Sequence, residues 1–296
     1  MHPTHSTSKA TAWMAGWLSL LVIMAVAGRE ATRELAVFQV MELRSVIGLL
    51  MLYPLVRASG GLAAMKTTRG RDHVARNVVH YAAQFGWFAA LTMIPLAQVV
   101  AIEFTMPIWT VLLAAAFLGE RITLWKMLAV ALGLLGVGLI VRPSGAGLNP
   151  GQLVALAAAL GFAVSVTMIK SLTQSDGAVV IIFWMLIVQS LLGLVPAVAV
   201  WRSPSAAVWG WVLVIAFCGT FSHYCMARAL RHADATVVVP MDFLRVPLTA
   251  IAGWLVYFER MDLFTVLGAA LILTGNLLNV RRAAVPGAVP RTGHVR

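Results

Sequence analysis

Ten apolar blocks follow one another along this chain of 296 residues, and they leave little sequence between them. The blocks cover residues 12–28, 36–56, 77–95, 97–118, 123–141, 151–170, 178–200, 207–230, 234–257 and 262–280. A helix that crosses a bilayer needs roughly 20 mainly apolar residues, whereas a closed β-barrel shows alternating segments of about ten. The pattern therefore predicts an all-α membrane protein with ten transmembrane helices and no sizeable water-soluble domain.

The composition excludes a soluble domain and gives the basic charge a different meaning. Hydrophobic residues make up 60% of the chain and charged residues only 11%, against about 25% charged residues in soluble domains. The net charge of +11 lies between the apolar blocks, where Lys and Arg set orientation and face anionic lipid. We therefore expect the lipid bilayer as a partner and no nucleic acid.

The distribution of Lys and Arg predicts the topology. With ten helices, both termini and the even-numbered loops lie on one side of the membrane. That side carries 14 Lys and Arg, with Arg76 and Arg228 counted among the loop residues, and the other side carries 5. Cytoplasmic loops are enriched in these residues, so both terminal tails, residues 1–11 and 281–296, are predicted on the cytoplasmic side of a bacterial inner membrane. Residues 25–27 resemble a signal-peptidase site, but we interpret the run before them as an uncleaved first helix.

Aromatic residues and cysteines in the apolar blocks fit packing roles. Six tryptophans near the predicted helix ends are expected to be interfacial anchors, namely Trp13, Trp17, Trp125, Trp201, Trp209 and Trp211. Cys218 and Cys225 lie two turns apart in one block, which makes a disulfide between them implausible. We expect both to be small packing residues.

The two halves of the chain are related in sequence. A shift of 139 residues places Glu120-Arg121 on Glu259-Arg260 and Gly136 on Gly275, and a different shift places residues 44–49 on 189–194. Since each half has five helices, the copies must enter the membrane in opposite directions. The sequence predicts two inverted five-helix repeats, residues 12–142 and 151–280, an architecture whose substrate site lies near the midplane between the halves.

The ends of the fourth and ninth blocks carry a family resemblance. The motifs are Leu118-Gly119-Glu120-Arg121, Tyr257-Phe258-Glu259-Arg260 and the alanine-rich stretch around Ala229. With them the chain resembles the drug/metabolite transporter superfamily, in particular its EamA-type ten-helix transporters, over residues 12–280. The resemblance implies cytoplasmic termini and transport of a small solute. It leaves the substrate open, because the family moves amino acids, vitamins, nucleotide-like metabolites, metallophores and toxic compounds.

Two acidic residues inside predicted helices are the first candidates for function, because ionisable groups in a membrane are costly. Glu103 and Asp242 correspond under the 139-residue shift, and Pro107 and Pro247 follow them. A proline loosens a helix and frees backbone carbonyls. We expect the acids to line a central cavity, where at least one binds a proton or a cationic group. Alternatively, Asp242 pairs with Arg245 on the same face, and Glu103 pairs with another basic residue.

Other polar residues complete the candidate site. Arg44 in the second helix is predicted to contact substrate or to form an intramembrane ion pair, and Glu42 points to a different face. A polar-aromatic stripe in the third helix and two residues in the eighth line the cavity or hydrogen-bond between helices. The substrate-binding and coupling candidates are Glu103, Asp242, Arg44, Arg245, His80, Gln84, Trp87, His223 and Tyr224. The histidines show no metal-ligand spacing, so neither a metal nor a cofactor is expected.

Two further sets of residues are predicted to be structural. Glu120, Arg121, Glu259 and Arg260 lie at helix ends and are expected to fix tight hairpins. Gly133, Gly136 and Gly138, with Gly268 and Gly275 in the second half, give small-residue faces that permit close helix packing. We interpret these faces as internal packing or as the surface of a homodimer.

These observations predict a secondary active transporter that exports a small metabolite, an amino acid or a related zwitterionic or aromatic compound, by proton coupling or exchange. An uptake carrier for a vitamin or nucleotide-like metabolite is the alternative. No phosphate-binding Gly-x-x-x-x-Gly-Lys motif, His-Glu-x-x-His pair or Gly-x-Ser-x-Gly elbow occurs. An ATP-driven pump and an intramembrane enzyme are therefore disfavoured, and a passive channel remains a third hypothesis.

Overall fold

A computed structural model describes residues 7–118, 124–141, 149–233, 238 and 241–283. The helices there are α1 (Thr7–Ala31), α2 (Val37–Ala58), α3 (Gly70–Met93), α4 (Leu96–Glu103), α5 (Met106–Leu118), α6 (Leu124–Val141), α7 (Pro150–Leu172), α8 (Ala178–Ala199), α9 (Ala206–His232), α10 (Arg245–Tyr257) and α11 (Leu263–Ala283), with a short 3-10 helix at Leu62–Met65. These residues contain no β-strand. The prediction of an all-α protein is confirmed.

Most of these helices have the length and apolar character of membrane spans. Seven segments qualify: Ser8–Ala31, Val37–Ala58, Leu96–Leu113, Leu124–Val141, Pro150–Ile169, Ala178–Ala199 and Ala206–Met226, with the shorter apolar segment Leu263–Leu278 in α11. Helix α3 is as long as these segments, but it is not apolar enough to be counted with them. It carries Arg76, His80 and Gln84 on its buried face. Helix α10 is the second part of an interrupted span. The protein is a multi-span membrane protein.

The fourth and ninth spans are interrupted, where the sequence predicted continuous blocks. A turn at residues 104–105 separates α4 from α5, and a turn at residues 243–244 precedes α10. The two turns are 139 residues apart. Pro107 and Pro247 lie in the first turn of the following helices, where a missing N–H costs little. Asn276 of α11 donates a hydrogen bond to the freed Phe104 carbonyl at 2.8 Å, so the interruption leaves this acceptor satisfied.

The two halves interlock rather than lie side by side. Helix α2 packs along its counterpart α8, and α6 packs along its counterpart α11. Helix α1 packs along α9, and the equivalent pair α3 and α7 also pack together. These contacts occur in pairs related by exchange of the halves, as expected for a pseudo-two-fold axis in the membrane plane. The predicted architecture of two inverted five-helix repeats is confirmed.

Small residues bring α6 and α11 into backbone contact. A Cβ atom added at Gly136 would lie 2.5 Å from the Gly268 carbonyl oxygen, and one added at Gly275 would lie 2.7 Å from the Ala129 carbonyl oxygen. These two crossings are equivalent under the 139-residue shift. Gly133 faces the side chain of Ile108 of α5, whereas no atom lies within 4 Å of a Cβ added at Gly138. Apart from Gly138, the predicted small-residue faces therefore pack within the chain, and the homodimer stays a prediction.

Loops from both halves meet at each end of the bundle. At one end, Glu34 accepts hydrogen bonds from the Ser205 backbone N–H and hydroxyl, and Gln39 bonds to the Arg202 backbone. At the other end, Asp176 contacts His73 of α3. At each end, the loop between the first and second spans of one half meets the loop between the second and third spans of the other half. The two ends are therefore equivalent under exchange of the halves.

Three sequence predictions change here. Arg76 is a helical, buried residue rather than a loop cation, because α3 begins at Gly70, seven residues before the predicted block. Trp17 is not an interfacial anchor, since its indole nitrogen bonds to Asp242 inside the bundle. Arg228 is likewise part of α9 rather than of a loop. Cys218 and Cys225 are buried and unbridged, and the predicted hairpin residues Glu120 and Arg121 lie outside the described residues.

Candidate functional site

The two interrupted spans bring three ionisable residues together. Arg245, the first residue of α10, donates a hydrogen bond to a Glu103 carboxylate oxygen at 2.8 Å and lies 3.5 Å from an Asp242 oxygen. The three side chains are at most 15% exposed. The sequence offered Arg245 as a partner for Asp242 and an unnamed basic residue for Glu103. In the structure the Arg245 guanidinium pairs with both carboxylates.

Aromatic side chains surround this cluster. The indole N–H of Trp87 donates to Glu103 at 2.9 Å, and that of Trp17 donates to Asp242 at 2.7 Å. The Arg245 guanidinium lies 4.8 Å from the centroid of the Phe104 ring, an arrangement that favours a cation. Helices α1, α3, α4 and α10 therefore each supply part of one polar site with aromatic walls.

The cluster carries an excess of negative charge. Two carboxylates share one guanidinium, so its formal charge is −1 when all three groups are ionised. Buried charges persist only when they are paired and hydrogen-bonded, and here the two indole donors add to the ion pairs. A cationic group of a solute would complete the balance. Among the described residues, no group of three His, Cys, Asp or Glu is placed to hold a metal ion.

Arg44 forms a second centre, bonded to amides instead of an acid. Its guanidinium donates to the side-chain oxygen of Gln84 at 2.5 Å and reaches that of Gln189 at 3.4 Å. Its Nε atom packs against Gly219, where an added Cβ would lie 2.7 Å away. Arg44 thus connects α2 to α3, α8 and α9. The described residues give it no carboxylate partner, so the predicted ion pair is not present there.

The remaining predicted residues occupy different levels of the bundle. His80 lies with its Nδ1 atom 3.3 Å from the Ser165 hydroxyl of α7. The His223 ring lies 5.9 Å from the ring of Trp17, and the residue is exposed, whereas Tyr224 packs edge-on against Trp13. The stripe on α3 is buried as predicted, but its three members contact three different helices.

The structure adds residues that the sequence did not assign to the candidate site. Trp17 binds Asp242, and Gln189 binds Arg44, although Gln189 was identified only as the repeat counterpart of Arg44. Arg76 is buried, and its guanidinium donates to the adjacent Asn77 at 2.7 Å. Arg228 lies over the Trp13 ring at 5.2 Å. The helical spacing of Arg76 with His80 and Gln84 is a signal that could have placed it on the same face.

The hairpin residue Glu259 contacts three segments at one end. Its carboxylate accepts a hydrogen bond from the backbone N–H of Leu96 at the start of α4, at 3.0 Å, and it pairs with Arg29. The Arg29 guanidinium also lies 4.7 Å from the Tyr257 ring centroid. Arg260 is exposed beside it. A carboxylate next to helix-terminal N–H groups is favourable, so this geometry is that of a structural connection.

The opposite end holds a buried histidine and an aspartate. His73 lies with its Nε2 atom 2.7 Å from the Asp176 carboxylate, which also accepts a hydrogen bond from Thr67 at 2.8 Å. Burial would raise the pKa of Asp176, but the bonds from His73 and Thr67 and the charges of His73 and Arg69 lower it below its ordinary value of 3.8. Arg69 adds bonds to Ser171. This contact joins the two halves at this end of the bundle.

Comparison with known proteins identifies the family. The model of the EamA-like transporter family matches residues 10–142 and again residues 149–281. The chain belongs to the EamA-like transporter family. Each match covers one of the two five-helix halves, in agreement with the duplicated fold, and relatives in the family are transporters rather than enzymes.

Individual relatives are similar over most of this transporter. It is 32% identical to a riboflavin transporter from Rhizobium johnstonii, over 75% of this chain and 74% of that protein. It is 27% identical to an S-adenosylmethionine uptake transporter from Rickettsia prowazekii, over 81% of each chain. It is also 29% identical to a pseudopaline exporter from Pseudomonas aeruginosa, over 83% of this chain and 86% of that protein. A solved crystal structure matches the fold with a TM-score of 0.65 at 20% identity, over 95% of this chain and 100% of its own.

Proposed function

We propose that the protein is a secondary active exporter of a small metabolite, an amino acid or a related zwitterionic or aromatic compound, in the bacterial inner membrane. The observation that carries this proposal is the buried cluster of Glu103, Asp242 and Arg245 where the two halves meet. Its excess negative charge suits an ammonium or other cationic group. The indole rings of Trp17 and Trp87 beside it suit an aromatic part of the solute.

A second observation supports a solute with both charges. Arg44 and Arg76 are buried guanidiniums without a carboxylate partner among the residues described. Arg76 lies one turn before His80 on the buried face of α3, and Arg44 bonds to Gln84, which lies one turn after His80. A carboxylate is the natural partner of a guanidinium. We infer that the anionic end of the solute approaches this basic region and that its cationic end approaches Glu103 and Asp242.

The mechanism we propose is alternating access around a fixed midplane site, with one half rocking against the other. Transport is driven by a proton gradient or by exchange, and both termini are cytoplasmic, as the loop charges favour. In one state the His73–Asp176 contact closes one mouth while the opposite mouth opens. The homodimer predicted from the glycine faces remains part of this proposal.

Uptake of a vitamin or nucleotide-like solute is the second candidate, and the relatives favour it. The riboflavin transporter and the S-adenosylmethionine uptake transporter are among the similar proteins. S-adenosylmethionine combines an amino-acid group, a sulfonium cation and a purine ring, so its chemistry also fits an acidic site with aromatic walls. The pseudopaline exporter shows that the opposite direction also occurs among relatives.

The proposal is tested in two steps. Metabolomics of cells and medium with and without the gene shows which solute moves and in which direction. Exchange of that solute is then measured in proteoliposomes with Glu103→Gln and Asp242→Asn, each alone and combined. Glu30→Gln is the matched control, because Glu30 pairs with exposed Arg33 outside the cluster.

We expect the double variant to lose solute exchange by about 100-fold or more, because it removes both charged acceptors for the cationic group of the solute, each worth about 1.5–3 kcal/mol. The control should exchange at the wild-type rate. Full exchange by the double variant would contradict the assigned site, and accumulation of the solute inside cells that express the gene would favour uptake over export.

A further inference from the structure

A third buried acidic residue, Glu42, lies away from the cluster of Glu103, Asp242 and Arg245, between α2, α3 and α8. The Glu42 side chain is buried, and one of its carboxylate oxygens points at Gly193 of α8. A Cβ atom added at Gly193 would lie 2.5 Å from that oxygen and 3.0 Å from the Tyr81 hydroxyl. The absence of a side chain at Gly193 therefore creates the space that both polar groups face.

Neither polar group has a partner in this space. The Glu42 oxygen and the Tyr81 hydroxyl are inaccessible to solvent and make no hydrogen bond. A polar group buried without a partner is unfavourable, and an isolated carboxylate in the membrane is among the most costly. Such a site is stable only if something else compensates the charge.

No cation within the described residues supplies that compensation. Helix α8 carries no charged or titratable side chain, and α9 meets this level of α2 through Gly219 and Thr220. The titratable and charged groups on the helices packed around Glu42 include Arg44 of α2, Arg76, His80 and Tyr81 of α3, and His223 of α9. The basic groups among these have other partners. Arg44 bonds to Gln84 and Gln189, and Arg76 bonds to Asn77. His80 lies against Ser165, and His223 lies against Trp17.

The shift that places Arg44 on Gln189 places Glu42 on the apolar residue Ile187, which shows that the fold does not require the acid. Gly48 corresponds to Gly193 in the repeat, and Thr220 corresponds to Tyr81. A Cβ atom at Gly48 would meet the Thr220 hydroxyl at 2.7 Å and the Leu186 side chain at 3.3 Å. The same glycine crossing is therefore built once without a carboxylate and once with Glu42.

We propose that the Glu42 carboxyl group takes up and releases the proton that drives transport, at a site separate from the Glu103, Asp242 and Arg245 cluster. A proton from water on one side of the membrane forms an O–H bond on Glu42, which removes the buried charge. In the opposite-facing state the same bond breaks, and the proton returns to water on the other side. Glu103 and Asp242 do not need this proton, because Arg245 already neutralises part of their charge.

This inference rests on the proposed secondary transport, but its first test needs no solute. Infrared difference spectra of the purified full-length protein in proteoliposomes are recorded between alkaline and acidic pH, and the band of a buried protonated carboxyl group is followed. We expect Glu42→Gln to lose this band and Glu103→Gln to keep it. A band that persists in Glu42→Gln or disappears in Glu103→Gln overturns the proposal.

A second variant keeps the test decisive if Glu42→Gln does not fold. Tyr81→Phe retains the ring and removes only the hydroxyl that faces the carboxyl group. We expect the carboxyl band to remain and to shift in frequency, because the polarity around the carboxyl changes. In that case an unshifted band in Tyr81→Phe overturns the assignment to Glu42.

The transport arm separates this inference from the proposed function. Labelled S-adenosylmethionine and riboflavin, the solutes of the similar proteins, are the probes, together with any solute found by metabolomics. We expect Glu42→Gln to lose accumulation driven by a pH gradient while exchange at equal pH on both sides continues within about twofold. Unchanged pH-driven accumulation in the variant contradicts the inference. Failure of the wild type to move any solute contradicts the proposed function instead. In that case the infrared result alone decides whether Glu42 binds the proton.

Discussion

The breaks in the two interrupted spans fall at equivalent residues but differ in chemistry. Residues 103–106 in the first half and 242–245 in the second are equivalent, and each begins with an acid and a phenylalanine before a new helix starts. The fourth position is Met106 in one half and Arg245 in the other. One guanidinium from the second half therefore serves the acids of both. Duplication thus supplied the shape of the site, and a difference between the copies supplied its charge balance.

Replacing Arg245 with the residue of the other half removes this difference and should have the largest effect. Arg245→Met leaves Glu103 and Asp242 buried without a cation, a change that costs about 3–5 kcal/mol. We expect a strong loss of stability in a thermal or detergent-unfolding titration and complete loss of solute exchange. Arg260→Met is the matched control, since Arg260 is exposed and the change should stay within about 0.5 kcal/mol. Equal stability of the two variants would show that the shared guanidinium is unimportant.

The contact between α6 and α11 is a region where the halves remain alike, so equivalent variants should behave alike. In Gly136→Leu the new side chain would collide with the Gly268 backbone, and in Gly275→Leu with that of Ala129. Overpacking of this kind costs about 1–3 kcal/mol, and we expect both unfolding midpoints to fall by similar amounts. Gly138→Leu provides the control, because no atom lies within 4 Å of a Cβ added there. A neutral Gly136→Leu would argue against the close contact of these helices.

The two mouths are a further comparison, and the mouth with Asp176 should respond more to substitution. Asp176→Asn weakens the bonds to His73 and Thr67, for an expected loss of about 1 kcal/mol at neutral pH. Because the pKa of Asp176 is lowered in the folded protein, its stabilising contribution is present above 3.8 and disappears as the pH falls through the lowered value. Thermal unfolding measured from pH 3 to 7, in steps of about half a unit, should show this loss in the wild type and a flatter profile in the variant. Identical profiles would remove Asp176 from the contact.

The other mouth should show the smallest effect. Glu34 accepts two hydrogen bonds from Ser205, which caps α9, but its side chain is exposed. Glu34→Gln keeps an acceptor and loses only the charge near the helix N-terminus, worth roughly 0.5 kcal/mol. We expect a small decrease in the unfolding midpoint that vanishes in high salt. A decrease larger than that of Asp176→Asn would reverse the order of the two mouths.

Much of the fold follows from periodicity and length. Apolar blocks about as long as a bilayer is thick predict the helices, and the 139-residue shift predicts the inverted repeat. The interruptions at residues 104–105 and 243–244 were anticipated only as prolines that loosen the helix. The prolines lie after the breaks, and the break in the first half also depends on Asn276, which satisfies the Phe104 carbonyl from another helix. A contact between distant segments leaves no local pattern in the sequence.

The site was predictable where it depends on rare residue types and not where it depends on common ones. Charged residues in apolar blocks are few, so Glu103, Asp242 and Arg245 could be chosen from the sequence alone. Trp17 could not, because a tryptophan near a helix end also fits an interfacial anchor. Arg76 was assigned to a loop because the polar first turns of α3 fall outside the apolar block.

Phe104 and Phe243 occupy equivalent positions in the two halves, and their rings meet edge to face with centroids 5.5 Å apart. A residue that touches its own counterpart must lie close to the axis that relates the halves. In the proposed alternating access, the halves would exchange conformations, and such a pair would then exchange its roles and contribute equally to the energies of both states. Any preference of the resting protein for one side of the membrane must then originate in side chains that one half has and the other lacks, with Arg245 and Glu42 foremost among them.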